Sequence, residues 1–277
     1  MTTYRDRYPL STREIDGVTV RIISPPPGVE PPAGARPAAA AGASAGVGAS
    51  AEMGGSAGES SAAGVPWVWR AEFLGAFDDA DCAMLDAGWH LVYVEVPDRY
   101  GDPVAIAAWW TAYRFLVEEL GFDPRPGLIA LSRGGLYAIS WAAAHPDCVS
   151  AIYLDNAVCD LRSWPGGLGD AKPAPTEWQQ MLKVYALDPT DLDAVAAISP
   201  ISKLAPLAAA RIPVLVAYGD ADRAVPANEN SIPLVANYTN LGGPSEVVIR
   251  PGADHHPHGI DPATVRAFFI SHKQQRH

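Results

Sequence analysis

Apolar residues along this chain fall into short blocks divided by turn residues, and the blocks carry two different spacings. Glu14 to Ser24 (EIDGVTVRIIS) alternates apolar and polar positions around Asp16-Gly17, which predicts one or two antiparallel strands. Pro66 to Arg70, His90 to Val96, Leu128 to Leu131, Val149 to Leu154, Ile212 to Tyr218 and Ser245 to Ile249 are apolar runs of strand length. Between them the spacing turns helical. One helix is predicted over Asp78 to Ala87, with an Asp cap and Gly88 as its stop. Another follows Asp102-Pro103, with Ile106, Trp109, Trp110, Tyr113, Leu116, Val117 and Leu120 on its apolar face and Gly121 closing it. Arg133 to His145 is ended by Pro146. Ser231 to Asn240 contains Pro233, which suits a first turn and so predicts a late start. Asp261-Pro262 caps a last helix that turns Val265, Phe268 and Phe269 inward.

Strands alternating with helices predict the α/β class, a mostly parallel doubly wound sheet with its chemistry at the carboxyl ends of the strands. Two stretches break the rhythm. Residues 25–64 are almost entirely Ala, Gly, Pro and Ser, a composition that cannot bury enough surface to offset its ordering entropy, so a disordered insertion is expected there. From 157 to 210 periodicity weakens and Pro, Gly and Trp accumulate, as in a small cap over a sheet. The expected organisation is therefore N-terminal strands over 1–24, the insertion, and one main domain over 65–277 that carries the cap.

Composition narrows the function classes. A net charge of −11 argues against nucleic acid or an anionic membrane as partner, and no apolar run reaches the length of a membrane span. Three scattered cysteines, Cys82, Cys148 and Cys159, fit a reducing compartment and offer neither a disulfide framework nor a zinc knuckle. Met1 to Asp16 has no apolar core of a secretory signal, so a cytoplasmic location is expected.

The candidate chemistry centres on Leu128-Ile129-Ala130-Leu131-Ser132-Arg133-Gly134-Gly135-Leu136. An apolar strand ends at a serine, and small residues let a helix begin at once, as in a nucleophile elbow. Ala130 stands where such elbows usually carry glycine, so the pattern is A-x-S-x-G. A serine hydroxyl needs a base oriented by a carboxylate. Both follow in the order Ser, Asp, His. Gly219 to Pro226 (GDADRAVP) supplies the acid, with Asp222, Asp220 and, after an earlier strand, Asp155 as candidates. Pro251 to Gly259 (PGADHHPHG) supplies the base, with His255, His256 and His258 as candidates. The same three imidazoles also have a composition suited to zinc or nickel, though without the spacing of a helical pair of ligands. His90, His145, His272 and His277 are expected at the surface or at strand edges.

From about Pro66 to His272 the chain resembles the α/β-hydrolase superfamily. There the pattern G-x-x-D-x-x-V-P holds the acid, which matches Asp222, and G-x-x-H in the last loop gives His255. The combination of Pro-Trp-Val-Trp-Arg, Ser-Arg-Gly-Gly and His-His-Pro-His, with Cys159-Asp160 and Ser163 to Gly167, resembles a subgroup of bacterial hydrolases linked to carbohydrate-ester metabolism. The resemblance implies Ser132, Asp222 and His255 as a triad. It also implies oxyanion donors at the N–H of Arg133 and in the loop after Trp67 to Arg70, at Arg70 or Ala71. The side chains of Arg70 and Arg133 either bind substrate or pair with an acid such as Glu72. Trp67, Trp69 and Trp164 are candidate substrate-stacking surfaces, with lid packing as the alternative. Trp89, Trp109, Trp110 and Trp141 are expected in the core.

The function expected from the sequence is hydrolysis of a small carboxylic ester through an acyl-enzyme, with no cofactor and no resident metal. An acylated carbohydrate falls within that class. The alternatives are a lyase on the same fold and a catalytically silent ligand-binding protein. Composition and spacing leave the oligomeric state open.

Overall fold

The computed structural model describes residues 2–32 and 64–274. The expected insertion lies outside the described residues, apart from 25–32 and Gly64. A nine-stranded sheet runs in the order β1-β2-β3-β5-β4-β6-β7-β8-β9. Its strands are β1 (Thr3–Tyr4), β2 (Tyr8–Ile15), β3 (Val18–Ile23), β4 (Trp67–Ala71), β5 (His90–Val94), β6 (Gly127–Leu131), β7 (Ala151–Asp155), β8 (Val214–Gly219) and β9 (Ser245–Arg250). The first three strands and β5 pair antiparallel; from β5 through β4 to β9 the pairing is parallel. The hairpin between β2 and β3 turns at Asp16-Gly17, both with positive φ, as a two-residue turn matched to strand twist requires.

The helices are α1 (Asp79–Asp86), α2 (Pro103–Arg114), α3 (Gly134–Ala144), α4 (Pro175–Tyr185), α5 (Leu192–Ile198), α6 (Leu204–Ala209), α7 (Ser231–Asn240) and α8 (Pro262–Gln274). The Asp102 side chain accepts from the Ala105 N–H and Pro103 takes the first helical position, so α2 starts where the sequence placed it. Asp78 differs. Its carboxylate caps nothing and instead accepts from Tyr4 and Arg5, tying the N-terminal strands to the start of α1. Helix α7 starts at Ser231 with Pro233 inside its first turn, earlier than proline suggested.

Two apolar layers sandwich the sheet. One lies under α2, α3 and the cap helices α4 to α6, and the other under α1 and α8, where Val265, Phe268 and Phe269 are buried. Trp69 stacks on Trp109 with ring centroids 4.2 Å apart and lies 5.2 Å from Trp141, so indoles fill the first layer. Trp110 is not core, being half-exposed and stacked on His145. His90 departs the other way. It is buried beside Phe122, and burial lowers its imidazole to a pKa of about 4. Among the described residues no helix is long and apolar enough to cross a membrane.

Candidate active site

Ser132 follows directly on β6 and precedes α3. Its φ of 49° lies in the left-handed region, where a residue with a Cβ is strained by roughly 1–3 kcal/mol. Hydrogen bonds hold it there: the Ser132 N–H donates to the Asp155 carbonyl at 2.9 Å, and its own carbonyl accepts from Gly135 and Val158. The small residues have a direct reason. A Cβ on Gly134 would sit 2.3 Å from the Ala71 carbonyl oxygen, and one on Gly135 would sit 2.8 Å from the Ala157 Cβ. Ala130, in the position usually held by glycine, fits fully buried in the sheet.

Ser132, Asp222 and His255 converge. Ser132 Oγ lies 3.0 Å from His255 Nε2, and His255 Nδ1 lies 2.7 Å from Asp222 Oδ2. Asp222 is buried, and its other oxygen accepts the backbone N–H groups of Ala224 and Val225 at 2.9 and 2.8 Å. An ionised carboxylate only accepts, so the proton shared with His255 sits on Nδ1 and the Nε2 lone pair faces the serine hydroxyl. That arrangement can withdraw a proton from Ser132 as the hydroxyl attacks. Asp220 is exposed and bonds the Gly252 N–H instead.

Asp155 serves a different imidazole. Its oxygens accept from His258 Nδ1 at 2.9 Å, Arg250 Nη2 at 2.9 Å, the Tyr153 hydroxyl at 2.6 Å and the Gly259 N–H at 3.0 Å. Burial alone would raise this carboxyl, but the hydrogen bonds from His258 and Tyr153 and the charge of Arg250 hold it below its ordinary value. This second His–Asp pair anchors the loop that carries His255. Asn156 adds another anchor, unforeseen from the sequence. Its amide donates to the His255 carbonyl at 2.9 Å while its oxygen accepts the Gly219 N–H at 2.8 Å. In the sequence its only signal is a place two residues beyond the predicted strand Val149 to Leu154. His256 is exposed and stacked on Phe77; partial burial and the neighbouring imidazoles lower its pKa.

A cavity of about 310 Å³ opens over the serine, lined by Phe73, Phe77, Leu131, Trp164, Ala224 and the three histidines of the 255–258 loop, with Ser132 and Ala76. Of the three indoles proposed for substrate only Trp164 lies on it. Trp67 and Trp69 are fully buried because β4 is covered on both faces, and Trp67 donates to the Asp123 carbonyl. Arg70 is also corrected. Its guanidinium is 0% exposed, paired with the equally buried Asp81 and donating to the carbonyls of Glu72, Phe73 and Ala76. Arg70 and Ala71 belong to the ladder with β6, are fully buried and do not reach the cavity. The chain leaves the ladder at Glu72 and Phe73, both with positive φ, and Phe73 lines the cavity.

The Arg133 side chain pairs with an acid. Its Nε lies 2.6 Å from Glu72 and its Nη2 lies 2.8 Å from Asp98. Glu72, buried and also bonded by the Tyr137 hydroxyl at 3.0 Å, thus locks the β4 loop to the serine elbow. Among the described residues the backbone N–H groups of Arg133 and Phe73 enter no turn or cap hydrogen bond. Helix α3 starts at this point, where N–H groups have no intrahelical acceptor.

Residues 111–271 match the sequence profile of the prolyl oligopeptidase family. No curated protein matches the chain. Among solved structures, it resembles a puromycin-hydrolyzing peptidase of Mycobacterium tuberculosis at 18% identity and a TM-score of 0.66, covering 95% of this chain and 38% of that one. An acylaminoacyl peptidase bound to Z-Gly-Gly-Phe-chloromethyl ketone gives 15% identity and a TM-score of 0.62, with 98% and 42% covered. Dipeptidyl peptidase 4 of Porphyromonas gingivalis gives 11% and 0.61, with 96% and 35% covered. The chain therefore spans about two fifths of the length of these proteins, and they share its α/β-hydrolase fold.

Proposed function

The chain belongs to the prolyl oligopeptidase family of the α/β-hydrolase superfamily, and from that premise we propose that it is a serine hydrolase cleaving an acyl bond through a covalent acyl-enzyme. The observation that carries the reading is the hydrogen-bonded chain from Ser132 Oγ through His255 to Asp222, at 3.0 and 2.7 Å. In this reading Ser132 attacks the substrate carbonyl while His255 takes its proton and then delivers it to the leaving group. Asp222 holds the imidazole in the required tautomer and stabilises its charged form. The negative oxygen of the tetrahedral intermediate is met by the N–H of Arg133 and, in place of Arg70 or Ala71, by the N–H of Phe73. Water activated by His255 then releases the acyl group. Substrate specificity follows from the cavity, whose Phe73, Phe77 and Trp164 suit an apolar or aromatic group beside the carbonyl.

A carboxylic ester, acylated sugars included, is the first substrate class. Amide cleavage is the second, motivated by the peptidase names of the similar structures. The test pairs fluorophosphonate labelling with a panel of p-nitrophenyl esters from acetyl to octanoyl, acetylated sugars, and aminoacyl and acylaminoacyl p-nitroanilides. Labelling abolished by Ser132→Ala and faster turnover of esters are expected. Faster turnover of anilides would shift the assignment to amides. A folded protein that neither labels nor turns over any of these would overturn the reading.

A further inference from the structure

The three imidazoles of the last loop form a compact group that the proposed hydrolysis uses only in part. The rings of His255, His256 and His258 lie 4.7 to 4.9 Å apart, centroid to centroid, at mutual angles of 67° to 81°. One ligating nitrogen from each comes within 4.8 Å of the other two. All three border the same cavity as Ser132, so an ion has a path to them.

Two of the three already have the backing of a metal ligand. His255 Nδ1 is bonded to Asp222 and His258 Nδ1 to Asp155, both carboxylates buried. Because each carboxylate can only accept, the proton stays on Nδ1 and the lone pair stays on each Nε2, facing the Ser132 hydroxyl in the case of His255. A carboxylate behind the far nitrogen is the arrangement that orients histidine ligands and raises their basicity. The third ring, His256, is exposed and held by stacking on Phe77, so it can swing to complete the set. Zinc–imidazole bonds of about 2.0–2.1 Å need ligating nitrogens roughly 3.3 Å apart, a closure of up to about 1.5 Å from spacings within 4.8 Å.

We propose that His255, His256 and His258 form a binding site for a divalent transition metal of the zinc type, with water or the Ser132 hydroxyl as fourth ligand, and that its occupancy turns the hydrolase off. The inhibition follows because the metal takes the Nε2 lone pair of His255, the same pair that must accept the Ser132 proton. Binding stands on the imidazole geometry alone, whereas the loss of activity rests on the proposed hydrolase function.

The experiment titrates metal-free protein with Co²⁺ and Zn²⁺. Co²⁺ is expected to give the intense visible absorption of a four-coordinate site with three imidazole nitrogens and one oxygen, and Zn²⁺ to displace it. Ser132→Ala keeps all three imidazoles and is expected to bind as well. Zn²⁺ is expected to block ester turnover reversibly, with recovery on adding a chelator. His256→Ala removes one ligand from an exposed position and is expected to weaken metal binding by more than the roughly 10- to 100-fold that loss of a partner behind a ligand costs. Metal binding by an unaltered protein that neither labels with fluorophosphonate nor turns over any ester or anilide would keep the site and reject the hydrolase reading. Absence of the Co²⁺ spectrum, or Zn²⁺ inhibition of equal potency in His256→Ala, would overturn the site.

Discussion

Replacing Asp222 by asparagine tests the proposed chemistry with little change in shape. One oxygen of Asp222 accepts two backbone N–H groups, from Ala224 and Val225, and the other accepts His255 Nδ1. An asparagine has only one acceptor end. Turning its amide nitrogen towards Ala224 and Val225 would leave two donors facing a donor, so the oxygen must stay with the backbone. The amide N–H₂ is then forced against Nδ1, which can meet it only as an acceptor. The imidazole proton moves to Nε2, and His255 now donates to Ser132 where it previously accepted. The base is lost while the loop keeps both of its backbone hydrogen bonds. In the type case of a Ser-His-Asp triad this wrong-tautomer effect lowers kcat by about 10⁴, which at about 1.4 kcal/mol per decade is ~5 kcal/mol of transition-state stabilisation. The assay is kcat on p-nitrophenyl acetate with the fluorophosphonate labelling rate beside it, and urea unfolding to show that the fold persists. Asp220→Asn, altering an exposed acid, is the control and is expected to stay near wild type. Asp222→Asn retaining a tenth or more of wild-type kcat would refute the reasoning.

Three further substitutions probe the framework. Gly134→Ala drives a Cβ to 2.3 Å from the Ala71 carbonyl, so it should destabilise by about 1–3 kcal/mol and lower kcat by separating the serine elbow from the β4 loop, both read from urea unfolding and ester turnover. Arg70→Met leaves Asp81 buried without its cation, for an expected loss of about 3–5 kcal/mol. Burial already pushes the Asp81 carboxyl up to about 6, above its unfolded value, so the folded state favours the proton; the loss should be smaller at pH 5 than at pH 8, and equal losses would refute this. Lys203 has no acidic partner among the described residues, its Nζ bonding only Ser140 Oγ, and burial lowers it from 10.5 to about 8. Its unfolded form holds the proton more tightly, so stability should rise with pH between about 8 and 10.5. Lys203→Met should remove that rise and stabilise the protein at pH 7 by about 1–2 kcal/mol after allowing for partial exposure, as chemical denaturation at the two pH values would show.

The arrangement of Glu72, Arg133 and Tyr137 links the β4 loop to the serine elbow, which is why Gly134→Ala is expected to reach the chemistry. The Arg133 backbone sits beside the nucleophile, while its side chain is held by an acid from the neighbouring loop. The Arg133–Glu72 ion pair therefore ties together the two segments that carry the proposed oxyanion donors.

What the amino-acid order determined by itself is what depends on neighbours along the chain. Asp102-Pro103 fixes the start of α2, Asp16-Gly17 fixes a hairpin, and the run Leu128 to Ser132 followed by Gly134-Gly135 fixes a strand, an elbow and a helix. Ser132 and the candidate acids and bases were legible for the same reason, standing past the ends of apolar runs, while the resemblance to α/β-hydrolases singled out Asp222 from Asp220 and His255 from His256 and His258. What only the tertiary structure decided is pairing between distant segments. Trp67 and Trp69 lost their role as stacking surfaces because β4 lies inside the sheet with both faces covered, and a short apolar run does not reveal how many faces are buried. Arg70 turned towards Asp81, Arg133 towards Glu72, and Asp155 towards His258 across 103 positions. Strand order makes those choices, since it sets which loop ends meet at the rim, and no local periodicity encodes it.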